Sequence, residues 1–275
     1  MIDRYAVVGN PVAHSKSPEI HAAFARQTGQ DIDYSRLLAP TDGFRSTVES
    51  FRAAGGRGVN VTLPFKLEAF DLADDVSQRA RDAKAANFLR FDDGRIHADN
   101  TDGVGLTRDI VNNLGFALAG KRVLLLGAGG AAQGVIMPLL EQQPGILAIA
   151  NRTIEKALRL AETLRRKPVA SASVLCALSF DELTGRHFDL VINATSASLH
   201  GELPALPSDT FAQGALAYDM MYGKASTPFL GFAAQHGART ADGLGMLVEQ
   251  AAESFLLWRG VRPQTAPVMA LLRNP

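Results

Sequence analysis

Short apolar runs alternate with longer segments of helical spacing along this chain. Tyr5 to Val8, Asp33 to Leu38 and Gly58 to Val61 predict strands, and Pro18 to Thr28 and Asp42 to Ala53 predict helices between them, the second stopped by Gly55-Gly56. Asn87 to Phe91 and Arg95 to Ala98 flank Asp92-Asp93-Gly94, the pattern of a β-hairpin. A helix over Gly103 to Leu114 leads into a second series of strands: Arg122 to Leu126, Ile146 to Ala150, Ala172 to Leu175, Leu190 to Ala194, Leu216 to Asp219 and Arg239 to Ala241. Such alternation predicts an α/β protein with largely parallel sheets. Two domains are expected, residues 1–101 and residues 102–242, with the last helices in 243–275, Gly245 to Arg259 among them, returning to pack on the first.

Composition narrows the partners. With 275 residues, 47% of them hydrophobic, the chain can bury a large core. Lys plus Arg and Asp plus Glu each number 28, so there is no basic field for a nucleic-acid backbone or an anionic membrane. No apolar run is long enough for a membrane span and the start, Met1-Ile2-Asp3-Arg4, does not read as a signal peptide, which leads us to expect a cytoplasmic protein, monomer or homodimer, with a small-molecule partner. The one cysteine, Cys176, lies among apolar neighbours and reads as buried packing rather than a nucleophile. His14, His21, His97, His187, His200 and His236 show no metal-ligand spacing, and no metal is expected.

The strand Arg122 to Leu126 runs directly into Gly127-Ala128-Gly129-Gly130-Ala131-Ala132. A Gly-x-Gly turn between strand and helix lets backbone approach a pyrophosphate at a helix N-terminus, and Ala132 is small enough for the third glycine position. A tight turn without a ligand would also use these glycines, but the strand, turn, helix and strand context favours a Rossmann-like dinucleotide domain. The next strand ends in Asn151-Arg152-Thr153, with Lys156 one turn on, where enzymes using NAD usually place a carboxylate. A guanidinium can pair with a 2′-phosphate, so the expected cofactor is NADP; a solvated helix start is the bland alternative, although positive charge there opposes the helix dipole.

Three polar clusters lie where strands of the first domain end. Ser15-Lys16-Ser17-Pro18 opens a helix, and its hydroxyls suit a carboxylate or simply a helix cap. Asn60-Val61-Thr62-Leu63-Pro64-Phe65-Lys66 carries a lysine after an apolar pair, a candidate acid or base. In Asn100-Thr101-Asp102-Gly103 the carboxylate precedes a helix, where capping alone would account for it. Together the clusters supply an ammonium, a carboxylate, hydroxyls and an amide, suited to a polyhydroxylated acid.

These motifs, with Gly243-Leu244-Gly245-Met246-Leu247, resemble the shikimate dehydrogenase family in the same order over almost the whole chain. The resemblance implies reversible NADPH-dependent reduction of 3-dehydroshikimate to shikimate, in the pathway to the aromatic amino acids. It implies that Ser15, Ser17 and Tyr222 hold the substrate carboxylate and that Thr62, Lys66, Asn87, Asp102 and Gln250 face the ring oxygens, with Lys66 and Asp102 as the catalytic pair. On the cofactor side it implies Gly127 to Ala132 at the pyrophosphate, Asn151, Arg152, Thr153 and Lys156 around the adenosine phosphate, and Thr195, Met220 and Gly243 near the nicotinamide. The chain departs from the family's pattern at Phe88, after Asn87, and at Glu249, before Gln250. The rival readings are a quinate/shikimate dehydrogenase, often using NAD, a non-catalytic dinucleotide sensor, and a Rossmann-like methyltransferase; the last two leave Lys66 and Asp102 without a purpose.

Overall fold

The computed structural model describes residues 2–165, 175–195, 197, 201–223 and 226–273. The chain forms two compact units, Met1–Gly105 with Leu247–Pro275, and Leu106–Met246.

The first unit is built on a six-stranded sheet, β1 (Asp3–Gly9), β2 (Ile32–Leu38), β3 (Gly56–Val61), β4 (Asp75–Val76), β5 (Phe88–Asp92) and β6 (Arg95–Asp99), in the order β2-β1-β3-β5-β6-β4. β1 pairs in parallel with β2 and β3, whereas β5 is antiparallel to both β3 and β6. The β5–β6 hairpin turns at Asp93 and Gly94, both with positive φ, as a tight two-residue connection between right-twisted strands requires. One sheet face is covered by α2 (Phe44–Ala53) and α3 (Lys66–Leu72), which bury Phe44, Phe51 and Ala69 against Val8, Val59 and Leu89. α1 (Ser17–Thr28) has a proline in its first turn and ends on Gly29 in the left-handed conformation. It packs Ile20 and Phe24 against Val248, Ala252 and Phe255 of α9 (Leu244–Arg259) and Val268 of α10 (Ala266–Arg273). The C-terminal helices therefore do return to the first unit.

In the second unit β7 (Arg122–Leu126), β8 (Ile146–Ala150), β9 (Leu175–Leu178), β10 (Phe188–Asn193), β11 (Phe211–Asp219) and β12 (Arg239–Ala241) form an all-parallel sheet. Its order, β12-β11-β10-β7-β8-β9, is the doubly wound dinucleotide-binding arrangement, with the reversal between β7 and β10. The central strands are apolar on both faces because helices cover both: α6 (Gly130–Glu141) and α7 (Ile154–Arg165) bury Val135, Leu139 and Leu164 on one, and α8 (Pro228–Gln235) buries Phe229 and Leu230 on the other.

Three sequence expectations shift. The strand expected over Ala172 to Leu175 lies at Leu175–Leu178, its remaining residues falling outside the described ones; the register pairs Leu147 with Leu175 and Ala150 with Leu178. The helix expected over Gly103 to Leu114 is α5 (Asp102–Arg108) followed by one π-helical turn at Asp109–Asn113, closed by the Leu114 amide donating to the Asp109 carbonyl at 2.9 Å. Cys176 is half-buried rather than fully enclosed, and burial pushes its thiol pKa up. Among the described residues no helix is long and apolar enough to cross a membrane.

Candidate active site

Inserting an antiparallel hairpin in the first sheet brings the end of β3, the start of β5 and the end of β6 to one edge. Asn60 faces Phe88 in register, and Phe88 faces Asp99, so the residues just beyond these positions are neighbours although far apart in sequence. The turn after β3 is anchored by Phe65, fully buried and stacked on Phe44 at 5.1 Å between ring centres. Lys66 follows it as the first residue of α3, and its backbone carbonyl accepts from the Ala86 amide at 2.8 Å.

From there the Lys66 ammonium donates to Asp102 Oδ2 at 2.5 Å. The side chains are 29% and 15% exposed, dry enough to strengthen the pair and open enough to meet a ligand. Asn87 Nδ2 donates to the other carboxylate oxygen at 2.8 Å, to Thr101 Oγ1 at 2.9 Å and to Gln250 Oε1 at 3.2 Å. Its orientation is pinned, because Asn87 Oδ1 accepts from the Thr101 amide at 2.8 Å. Asn100 Oδ1 in turn accepts from the Asp102 amide at 3.1 Å. Asp102 is the first residue of α5 and its carboxylate bonds to Lys66 and Asn87, an arrangement that capping alone does not require. The structure thus gathers Lys66, Asp102, Asn87 and Gln250.

Ser15 and Ser17 are also brought together. Ser15 Oγ donates to Ser17 Oγ at 3.1 Å and accepts from the Ser17 amide at 3.3 Å. The N-cap residue of α1, Lys16, makes no side-chain cap bond, and of the two hydroxyls only that of Ser15 serves a helix-start amide. Thr62 sits at the β3 end, half-buried, with its amide donating to the Val8 carbonyl at 2.9 Å.

The second unit holds the remaining candidates. Gly127 has φ +108, which a side chain rarely adopts, and an added Cβ would press on the Ala194 carbonyl at 3.2 Å. Gly129 and Gly130, where α6 begins, have nothing within 4 Å of where a Cβ would stand, and both are exposed with Ala131 while Ala132 is fully buried against the sheet. Bare backbone facing open space at a helix start, beside the β7/β10 reversal, fits a pyrophosphate. Arg152, Thr153 and Lys156 are exposed past the end of β8, and Asn151 Nδ2 braces the loop by donating to the Thr153 carbonyl at 2.9 Å. This cationic set fits a dinucleotide bearing a 2′-phosphate.

Beyond β10, Thr195 Oγ1 donates to Asn193 Oδ1 at 2.7 Å. At the end of β11, the fully buried Asp219 accepts from the Met221 amide at 3.0 Å and the Thr227 hydroxyl at 2.6 Å, fixing the turn that carries Met220 and the half-buried Tyr222. Gly243 lies so close to the Met220 carbonyl that no side chain fits there.

Sequence reasoning left Asn60, Thr101, Ser254, Asn193 and Asp219 without a role. Asn60 Nδ2 donates to the Asn87 carbonyl at 3.2 Å and to Ser254 Oγ at 2.9 Å, and Tyr34 donates to Asn60 Oδ1 at 2.8 Å. Their signal was a polar side chain at a buried strand or helix position, which requires a partner but does not name it.

Sequence profiles of the shikimate dehydrogenase substrate binding domain, of shikimate / quinate 5-dehydrogenase and of the shikimate 5'-dehydrogenase C-terminal domain match residues 7–89, 108–201 and 243–273. A shikimate dehydrogenase (NADP(+)) of Nitrosospira multiformis is 61% identical over 275 residues, covering 100% of this chain and 98% of the relative. One from Aromatoleum aromaticum is 62% identical, covering 99% and 98%. Among solved structures, the Ael1 enzyme of Pseudomonas putida superposes with a TM-score of 0.94 at 52% identity, covering 99% of each chain. Shikimate 5-dehydrogenase of Thermus thermophilus in complex with NADP(H) and shikimate gives 0.87 at 33% identity, again over 99% of each. Matched by three profiles in order and by full-length relatives at these identities, the chain belongs to the shikimate dehydrogenase family.

Proposed function

We infer that this protein is an NADP-dependent shikimate dehydrogenase, reducing 3-dehydroshikimate reversibly to shikimate. The observation that carries the reading is the Lys66 ammonium at 2.5 Å from Asp102, with Asn87 and Gln250 converging on the same point. NADPH, when bound, supplies the hydride that turns the ring ketone into a secondary alcohol. The protein's part is positioning and protonation: Lys66 gives a proton to the ketone oxygen as negative charge develops on it, and Asp102 holds the ammonium aimed. In the direction of shikimate oxidation Lys66 takes that proton back. Asn87, Thr62 and Gln250 orient the ring hydroxyls, while Ser15, Ser17 and Tyr222 take the carboxylate.

On the cofactor side we assign the pyrophosphate to Gly127, Ala128, Gly129, Gly130, Ala131 and Ala132 and the 2′-phosphate to Arg152 with Asn151, Thr153 and Lys156. Thr195, Met220 and Gly243 take the nicotinamide end. Arg152 favours NADP over NAD, which argues against the quinate dehydrogenases that often use NAD.

The test is absorbance in the NADPH band with shikimate plus NADP, then quinate plus NADP, then each with NAD. Turnover in the first pair at least tenfold above the others is expected. Faster oxidation of quinate, or no oxidation of shikimate, would overturn the assignment.

A further inference from the structure

Behind the Lys66–Asp102 pair runs a chain of alternating charge that the reaction does not touch. The Glu249 carboxylate accepts from Arg262 at 2.6 Å, and Arg262 also donates to Glu253 at 2.9 Å. Glu253 accepts from Arg79 at 3.0 Å, and Arg79 closes on Asp99 through two bonds, from Nε at 3.0 Å and from a terminal nitrogen at 2.5 Å. The three carboxylate side chains are only 5%, 9% and 11% exposed. Burying so much charge is costly unless every member is paired, and it is weak as a stability device.

The ends of the chain touch the site. Asp99 Oδ1 accepts from the Asn100 amide at 2.7 Å, and Asn100 accepts from the Asp102 amide, so Arg79 reaches the backbone of Asp102 through consecutive hydrogen bonds. On the other side Glu253 shares α9 with Gln250 and Ser254, which bond to Asn87, Thr101 and Asn60. Arg79 sits in α4 (Gln78–Ala83), whose cap residue Ser77 also donates to Asp99 at 2.5 Å. One guanidinium therefore ties the loop bearing Asp102 to the helix bearing Gln250.

We propose that Arg79 is a positioning residue for catalysis: through Asp99 and Glu253 it sets the distance between the Asp102 loop and α9, and so the aim of Lys66. The proposal rests on the shikimate dehydrogenase reading for its kinetic arm only. Misplacement of about 1 Å at a reacting group can cost on the order of 100-fold in rate. Arg79→Met keeps much of the side chain's apolar bulk and removes both ties.

Arg79→Met should lower kcat for shikimate oxidation roughly 10- to 100-fold, counted per NADP-binding molecule, with KM for NADP within twofold of the parent. Arg95→Ala is the control, since Arg95 makes a two-bond pair with Asp75 on the same sheet, at 2.8 Å for each bond, exposed to solvent and far along the hairpin from Asp102. It should change melting temperature little, as an exposed pair does, and leave kcat unchanged. An independent readout is the 13C signal of Lys66 after reductive methylation, assigned with Lys66→Arg. That signal should move in Arg79→Met and stay in Arg95→Ala, whether or not shikimate is the substrate. If Arg79→Met does not fold, Arg79→Lys, which keeps charge but cannot hold Asp99 and Glu253 in one planar fork, decides on the same criteria with a loss above threefold. An unmoved Lys66 signal, or a kcat within threefold in the folded variant, overturns the proposal. A parent protein inactive on shikimate overturns the functional reading and leaves the Lys66 signal to decide this one.

Discussion

Asp102→Asn should abolish most turnover while leaving a folded protein. The substitution keeps shape and volume but gives one oxygen and one NH2 group where the carboxylate had two acceptors. Both acceptors are in use, by Lys66 at 2.5 Å and Asn87 at 2.8 Å. Whichever way the new amide turns, a donor meets a donor. Asn87 cannot turn to relieve the conflict, because its own oxygen accepts from the Thr101 amide at 2.8 Å. The lost charge-assisted bond alone is worth about 1.5–3 kcal/mol, or roughly 10- to 150-fold. Where the carboxylate also tunes the proton transfer, general acid–base catalysis adds to this, so a fall in kcat of roughly 10²–10⁴ is expected, with a smaller change in shikimate affinity. Initial rates at the NADPH band, with calorimetry for shikimate binding, measure the two separately. A variant within tenfold of the parent in kcat would show that Asp102 is a helix-start residue with no part in the chemistry.

Other outcomes follow from the same geometry. Ser15→Ala with Ser17→Ala should raise KM for shikimate at least tenfold, each hydroxyl bond to a carboxylate being worth about 1.5–3 kcal/mol; a fall in melting temperature with unchanged KM would mean a helix-start role instead. Arg152→Asp should weaken NADP binding roughly 10- to 150-fold and leave NAD binding equal or better, since it removes the phosphate's partner and adds a repelling charge; equal losses for both cofactors would mean that Arg152 supports the fold, and an unchanged NADP affinity would place the phosphate elsewhere. His21 is completely buried, and burial, only partly opposed by the neighbouring Asn60 side chain, pushes its pKa from 6.5 down to about 3. The fold keeps it neutral while the unfolded chain takes up a proton below pH 6.5, so stability is unaffected above that value and falls progressively between pH 6.5 and 3. That amounts to about 3 kcal/mol between pH 7 and pH 4 from this group. His21→Phe should flatten the denaturant-midpoint profile over this range by that amount, and profiles that stay parallel would disprove the assignment.

Much of this architecture is legible in the sequence because it rests on local signals. The β5–β6 hairpin was written in Asp92-Asp93-Gly94, and the Rossmann-like unit in an apolar run ending at Gly127. Elements that escaped lack such signals: α3 and α4 are 7 and 6 residues long and β4 only 2, too short for a period to show. The π-helical turn after Arg108 was invisible because its cause is tertiary: Tyr218, 109 residues away, donates to Asp109 at 2.7 Å, and Gly245 packs directly on that carboxylate. Lys66 and Asp102 stood out as polar residues at strand ends, but the bond between them closes 36 residues, and the Arg79–Glu253 bond closes 174. Nothing in the spacing of residues encodes such pairings.

The two sheets place chemistry differently, and this accounts for the division of labour. In an all-parallel sheet the carboxyl ends of the strands share one edge with no strand start among them, and the second unit accordingly offers turns there beginning at Gly127, Asn151, Ala194 and Met220, mostly backbone and exposed cations suited to a charged, extended cofactor. Reversing β5 in the first unit adds a strand start to that edge. Asn87 stands there, directly beside the ends of β3 and β6, and it bonds both to Thr101 of the β6–α5 loop and to Gln250 of α9. A strand start enters the edge with its side chain already between two neighbouring strand ends, where a carboxyl-end loop would have to fold back to reach. The hairpin is therefore the feature that lets Asn87, Lys66 and Asp102 converge within hydrogen-bond distance.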